Sequence, residues 1–407
     1  MLSILPFDII ALIVDIIGKN KDTNLLKKLA LVSHSFLQIC SKHLFATVEL
    51  HDAVPIFHIA SSKKGFIKLL KSRPDVVKYI RKLTYNDSYY QSIDNDDYLL
   101  SSILPNLLRT IPRLNCLTII GSSLNWDSMD SSVTSALLHL MRLPTVNHID
   151  LSEILNFPLS SLSQSVNLHR LDISHLTLLD QSGKDSTGLQ FQENQILPKI
   201  HELHTIDSSR LTTKLLHAKR QDGQPAFNFM DLRRFTVSYL YRKDERILRY
   251  ILQNAKLLEN LHILVGPDRS LVGWLHNILS PSARTLKVLD LTIPLHGYIR
   301  LPLSGLCEEL EAMAGHYMLE ALSIDVHILN HEPADLIGSK LQELEKVLVK
   351  PGWSALRRVS FDVTITCCFS TGSSEVLRSL PDKYLSHLPK LKSIAFSYST
   401  DGKCALS

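Results

Sequence analysis

Leu286-Lys287-Val288-Leu289-Asp290-Leu291 carries apolar side chains at its first, fourth and sixth places. The last three residues alternate apolar, polar, apolar, which is the pattern of a strand with one buried face. The same spacing recurs upstream, with Ile, Val, Phe or Tyr standing for Leu. It appears at Ile80-Leu83-Tyr85, Leu114-Leu117-Ile119, Val146-Ile149-Leu151 and Leu168-Leu171-Ile173. It continues at Ile200-Leu203 (Thr205 in the third place), Leu232-Phe235-Val237 and Leu258-Leu261-Ile263. Downstream it is found at Leu319-Leu322-Ile324, Leu356-Val359-Phe361 and Leu391-Ile394-Phe396. These are eleven units, and 311 residues over ten intervals give a mean period of about 31, with intervals from 22 to 37.

Most units are preceded by an apolar segment of helical period, such as Ser135–Met141, Ile247–Leu252 and Leu341–Leu348. A strand plus a helix that can bury its apolar face only by stacking on the next copy defines a solenoid repeat. The units resemble leucine-rich repeats. They lack the Asn or Cys that regular repeats place three residues after the strand; Ser122 and Leu176 occupy that place in two units. The expectation is therefore an α/β fold: an irregular horseshoe or arc with parallel strands on its concave face.

Leucine supplies 73 of the 407 residues, about 18%, against roughly 10% in an ordinary globular chain. Gly and Pro, at 15 and 17, are too few for a collagen-like or low-complexity chain. A net charge of +4 on 84 charged residues gives no basic stripe for a phosphate backbone, so no nucleic-acid partner is expected. No uninterrupted apolar run reaches 18 residues, so no membrane partner is expected either. Asp8 and Asp15 interrupt the apolar N-terminal run, which no Lys or Arg precedes, against the pattern of a signal peptide. Six scattered cysteines without a C-x-x-C pair fit a reducing compartment, cytoplasmic and/or nuclear.

The first fifty residues follow a different period. Ile9, Ile10, Ile13, Ile16 and Ile17 form a helical stripe after Leu5-Pro6, and Gly18 stands where a C′ glycine would end the helix. Leu25, Leu29, Val32, Phe36 and Ile39 repeat at helical spacing, and Val48-Glu49-Leu50 alternates as a short strand. Leu5-Pro6-Phe7-Asp8-Ile9-Ile10, Leu29 to Phe36 and His43-Leu44-Phe45 together resemble the F-box. More narrowly they are similar to the F-box-like segments of the large family found in mushroom-forming fungi. Phe36 stands where many F-boxes have Trp, and Ser33 where many have Cys. The resemblance covers residues 2–46. It implies docking of Leu5, Pro6, Ile9, Ile13, Leu29, Val32 and Phe36 on a Skp-type adaptor of a cullin-RING ubiquitin ligase. The protein would then be the substrate-recognition subunit. The residues alone leave a second reading open, in which the helices cap the repeats of a stand-alone scaffold or inhibitor. The organisation expected is an F-box-like helical domain at 1–50, a linker helix at 51–75, the repeats at 76–400 and a tail at 401–407.

No catalytic motif is present, and no enzyme activity, cofactor or metal is expected. His201-Glu202-Leu203-His204 is not H-E-x-x-H, and it lies on an expected strand, where the two His point to opposite faces. Cys367-Cys368 could form a reactive thiol pair, but alternation after Phe361 and Val363 buries one of them. What remains is the outward strand face. The residues between the last two apolar places include Asp150, Asp172, His204, His262 and Asp290, flanked by Arg170, Arg234 and Arg358. They are the candidate contacts for a protein substrate of unknown identity.

Overall fold

A computed structural model describes residues 6–51, 61–87, 97–177, 197–219, 223–239, 242–266, 271, 273–295, 305–328, 334–365, 379–380, 382–385, 387 and 395–402. Leu5, Cys367 and Cys368 lie outside the described residues. The chain divides into two compact units, residues 1–198 with 217–227, and residues 199–216 with 228–407.

The first unit opens with three helices, α1 (Phe7–Lys19), α2 (Thr23–Ala30) and α3 (His34–Leu44). Asp22 and Ser33 cap α2 and α3, accepting from the backbone N–H of Leu25 at 3.0 Å and of Phe36 at 3.3 Å. Val14, Leu26, Ile39 and Cys40 form the core of this bundle, with Ile10, Ala11, Ile17, Leu29, Ala30, Phe36 and Leu44 packed around it. Gly18 does not terminate α1. It lies within the helix, and a Cβ there would meet the His43 ring at 2.3 Å, so the glycine permits the close approach of α3. The left-handed residue after the helix is Lys21. Asp15 ties the same contact down through Lys42 at 2.6 Å and His43 at 2.7 Å.

β1 (Thr47–His51) and β2 (Ser61–Ser62) follow, then α4 (Lys63–Ser72), β3 (Lys82–Asp87), α5 (Asp97–Arg109) and β4 (Cys116–Asn125). The unit continues with α6 (Ser131–Met141), β5 (His148–Leu155) and β6 (Arg170–Ser174). The strands run β2-β1-β3-β4-β5-β6. The pairs are parallel, and the fourth place of each repeat lies opposite the fourth place of the next: Val48, Leu83, Leu117, Ile149, Leu171. Phe45-Val48-Leu50 is therefore a repeat in its own right, one that the eleven-unit reading leaves inside the helical segment. Lys63, at the start of α4, is buried beneath the same sheet and donates to Tyr85 Oη at 3.2 Å and Asp87 at 3.1 Å.

The second unit holds β7 (Glu202–Ile206), α7 (Ser209–His217), β8 (Arg234–Tyr239), α8 (Arg242–Asn254), β9 (Asn260–Val265) and α9 (Leu275–Leu279). Then come β10 (Val288–Leu295), α10 (Leu306–Met313), β11 (Ala321–Ile328), α11 (Ala334–Leu348), β12 (Arg358–Ile365) and β13 (Ala395–Gly402). The strands pair in chain order, all parallel. In β13 the register places Phe396 opposite Val359 and Tyr398 opposite Phe361. The last unit is thus two residues further on than Leu391-Ile394-Phe396. A shift of two keeps the same face inward, so the apolar pattern could not distinguish the two registers.

The leucine places form the core of both units. Leu117, Ile149, Leu171, Leu203, Leu261 and Leu289 are fully buried, each contributing about 1.5–3 kcal/mol relative to exposure. The turns before the strands have a recurrent backbone solution. The carbonyl at the second place of one repeat accepts two N–H groups from the next, as Ala46 does from Arg81 and Lys82 at 2.9 Å each. Asn115, Asn147, Arg233, Glu259 and Glu320 repeat the arrangement. These shared bonds supply backbone partners at strand entry in repeats without the regular Asn. The shortest interval, between β5 and β6, replaces the helix by a 3-10 turn at Leu159–Gln164. In the helical layer of the second unit, buried Glu309 on α10 accepts from Trp274 N at 3.2 Å and His276 N at 2.7 Å, satisfying donors at the start of α9. Buried Glu345 on α11 accepts from His387 N at 2.6 Å.

Candidate functional site

Two surfaces stand apart from the core. The first is on the N-terminal helices. α1 is apolar on opposite sides: Ile10, Val14 and Ile17 face the bundle core, whereas Ile9 is 42% exposed and Ile13 45% exposed. Phe7, Leu12 and Ile16 share that outward exposure, as do Leu25, Leu31 and Val32 in and after α2. Beyond residue 32, the exposed large hydrophobic residues among those described are Met230, Leu257, Met318 and Val349, far apart in sequence. Of the adaptor candidates, Pro6, Ile9, Ile13 and Val32 are on the exposed surface, while Leu29 and Phe36 pack partly into the bundle. Phe7, Leu12, Ile16 and Leu31 are exposed residues outside the set of adaptor candidates. The helical stripe marked α1 as apolar but could not say which side would face outward.

The second surface is the outward face of the strands, and each unit presents its own part. In the first unit, Thr118, Asp150 and Asp172 are opposite one another on β4, β5 and β6, as are Cys116, His148 and Arg170 one step earlier. Arg170 grips Asp172 through Nε and Nη2 at 2.9–3.1 Å. His148 Nε2 is 2.9 Å from Asp172 Oδ2, and its Nδ1 is 3.2 Å from Cys116 Sγ. Burial opposes charging the ring, but the hydrogen bonds and charges of Asp172 and Cys116 outweigh it and raise His148 from 6.5 to about 9. Asp150 beside them is pushed up by burial and by the Asp172 charge.

The second unit carries the other candidates. His204 on β7 lies opposite Thr236 on β8, and Arg234 is held by Glu202 at 2.9 Å. His262 on β9 and Asp290 on β10 are opposite in register. Burial lowers His262 and raises Asp290, and His262 Nε2 is 2.9 Å from Thr292 Oγ1. Arg358 stands on β12, where its charge acts on Asp290 against that rise. Further along the same face are Asp325 with His327 at 2.8 Å, and Ser360 donating to Ser323 at 2.8 Å. Asp150, Asp172 and Arg170 are therefore brought together in one unit. The other five candidates belong to the second unit, with His262 and Asp290 adjacent.

Cys116 and His148 are the site residues that the sequence reading missed. They occupy the place before each strand's first core residue, but only the register reveals that they touch. Among the described residues no group of three His, Cys, Asp or Glu is placed to hold a metal ion. No helix among them is long and apolar enough to cross a membrane.

No family model and no curated protein matches the chain. Among solved structures it is similar to a protein from Bacteroides fragilis, at 13% identity, covering 77% of this chain and 73% of that one with a TM-score of 0.33. It is also similar to the leucine-rich repeat-containing protein LegL7 from Legionella pneumophila, at 12% identity, covering 79% and 91% with a TM-score of 0.36. The repeat architecture rests on the strands, their register and the leucine core described above: within each unit it is an α/β array of the leucine-rich-repeat type.

Proposed function

We propose that the protein is a substrate-recognition subunit of an SCF-type ubiquitin ligase. Its N-terminal helices dock on a Skp-type adaptor, and its outward strand face holds a protein substrate. The observation that carries this reading is the concentration of exposed Ile, Leu, Val and Phe on α1 and around α2. A helix already filled on one side by a core and apolar on the other side is suited to packing against a partner helix. The polar strand face, with paired charges and few uncompensated cations, suits an extended peptide or protein surface better than a polyanion. Ubiquitin transfer itself would occur on other subunits. The place of action proposed is the cytoplasm or nucleus.

One observation favours the second reading, in which the helices cap a stand-alone scaffold. α3 ends at Leu44, β1 begins at Thr47, and Ala46 O accepts from Arg81 and Lys82. The helices are thus joined directly to the first strand. Co-purification with a Skp-type adaptor separates the two readings. A Leu5→Asp/Ile9→Asp/Ile13→Asp variant that stays folded and loses the adaptor supports docking. Equal retention of the adaptor by wild type and variant overturns it. A truncation for the same purpose must stop before Phe45, because removing residues 1–50 also removes most of β1.

A further inference from the structure

The interaction reading does not use the thiol on the strand face of the first unit. We propose that Cys116 is a thiol–disulfide exchange site that takes a low-molecular-mass disulfide, with His148 as its proton acceptor and Asp172 positioning the ring. Three neighbouring strands build the arrangement. Leu117 and Ile119 alternate into the core, which turns Cys116 and Thr118 to the outward face of β4. The sulfur is 3.2 Å from His148 Nδ1. The far side of the ring meets Asp172 at 2.9 Å, and the Arg170 fork holds that carboxylate in place. When Nε2–H donates to Asp172, Nδ1 is the nitrogen left to receive the thiol proton. The charged groups facing the pair are Asp150 on the same strand as His148, Arg170 and Asp172 on β6, and Lys82, opposite Cys116 on β3.

Two other cysteines supply the contrast within the same chain. Cys40 is 0% exposed in the helical bundle, and burial pushes its thiol up. Cys307, on α10, is pushed up to about 11 by burial and by the charges of Glu343 and Glu308. Neither Cys40 nor Cys307 has a proton acceptor in the arrangement that His148 offers Cys116. Cys116 is only 8% exposed, so a small disulfide is the class of reagent that fits the approach.

In the exchange, the pair acts as thiolate and imidazolium, with the thiol proton held on His148 Nδ1, and Cys116 Sγ bonds to one sulfur of the disulfide. The disulfide S–S bond breaks. The leaving sulfur keeps the electron pair and takes the proton back from His148. Cys116 is oxidised to a mixed disulfide, and the reagent is reduced to one thiol. The attached group would then stand beside Asp172 and Arg170 on the face proposed to hold substrate, and a reducing thiol would restore the original state.

The experiment uses the full-length protein. Oxidised glutathione is added at pH 6, and each cysteine peptide is followed by mass spectrometry. Iodoacetamide rates are measured in parallel from pH 5.5 to 9. The expected result is a mixed disulfide at Cys116 formed at least about tenfold faster than at Cys40 or Cys307. The iodoacetamide rate at Cys116 should be nearly flat between pH 6 and 8. In His148→Gln it should instead climb by about tenfold per pH unit, as an unassisted thiol does. A wild-type rate that climbs in the same way overturns the proposal, whether or not the variant folds. So does a Cys116 that stays unmodified in the folded protein.

Discussion

Replacing Ile13 by Asp and, separately, Val14 by Ala probes neighbouring residues of α1, one exposed and one buried. Fully burying an Ile side chain is worth about 1.5–3 kcal/mol, and Ile13 is 45% exposed. Docking therefore has about 1 kcal/mol left to gain at this one position. An Asp loses that gain and must also be desolvated against an apolar partner, adding about 2 kcal/mol. Together these weaken adaptor binding by about 100-fold. The same substitution should change the stability of the free protein by less than about 0.5 kcal/mol, as surface changes usually do. Val14 is 0% exposed. Removing two of its carbons costs about 2 kcal/mol of bundle stability, counting transfer and a small cavity. Adaptor affinity of the folded fraction should be unchanged. Calorimetric titration with a Skp-type adaptor, paired with urea unfolding of each variant, reads both quantities. If Ile13→Asp costs 2 kcal/mol or more of stability, the outer face of α1 is packed in the free protein. If it binds the adaptor as wild type does, the outer face is not the docking face.

Glu309→Ala leaves the His276 amide at the start of α9 without its acceptor, at about 1–3 kcal/mol, while Trp274 N keeps the Leu271 carbonyl at 3.1 Å. Urea unfolding of the variant should show a loss of about 2 kcal/mol, and a loss below about 0.5 would mean the carboxylate is not needed there. Asp290 ionises against burial. Its folded-state carboxyl titrates above that of the unfolded chain, so the charged form is penalised only when folded, and Asp290→Asn should stabilise the protein at pH 7. That gain should vanish as pH falls below the unfolded value of 3.8, and a melting temperature lowered at pH 7 would contradict it. His148 titrates at about 9 when folded, against 6.5 unfolded. Its stabilisation is present in full below pH 6.5 and is lost as pH rises through 9. With its side chain 24% exposed, water screening holds the effect to about 1–2 kcal/mol. The urea midpoints of wild type and His148→Gln should converge between pH 6.5 and 9.5, and a constant gap would show that the charge contributes nothing.

The strands were legible because alternation and the L-x-x-L spacing reinforce each other: Leu286-Leu289-Leu291 leads directly into β10. β1 was read as a short strand at Val48-Glu49-Leu50 but not as the first repeat, because Phe45 belongs to the preceding stretch of helical spacing. β13 was displaced because Ile394, Phe396 and Tyr398 all satisfy period 2. The Cys116–His148–Asp172 contact was not legible, because residues 32 and 24 apart meet only when three strands are aligned in register. Arg170 and Arg234 read as cations available to a partner, yet each is held by a carboxylate on the sheet: Asp172 on its own strand for Arg170, and Glu202 on the neighbouring strand for Arg234. That neutralisation depends on side-chain geometry that spacing does not encode.

The unequal spacing of the strands bears on how such a chain tolerates change. Closing a flexible connection costs free energy only as the logarithm of its length. The longest interval, 37 residues, is therefore dearer than the shortest, 22, by about half a kcal/mol. A single residue inserted within a strand instead reverses which side chains meet the core, at several kcal/mol for each leucine expelled. Change of length in the connections is nearly free as long as the helices keep buried residues such as Leu137 and Leu248, whereas change of length within the six-residue strand unit is not. Two descendants of one ancestor could then keep every strand in phase while differing in length between all of them.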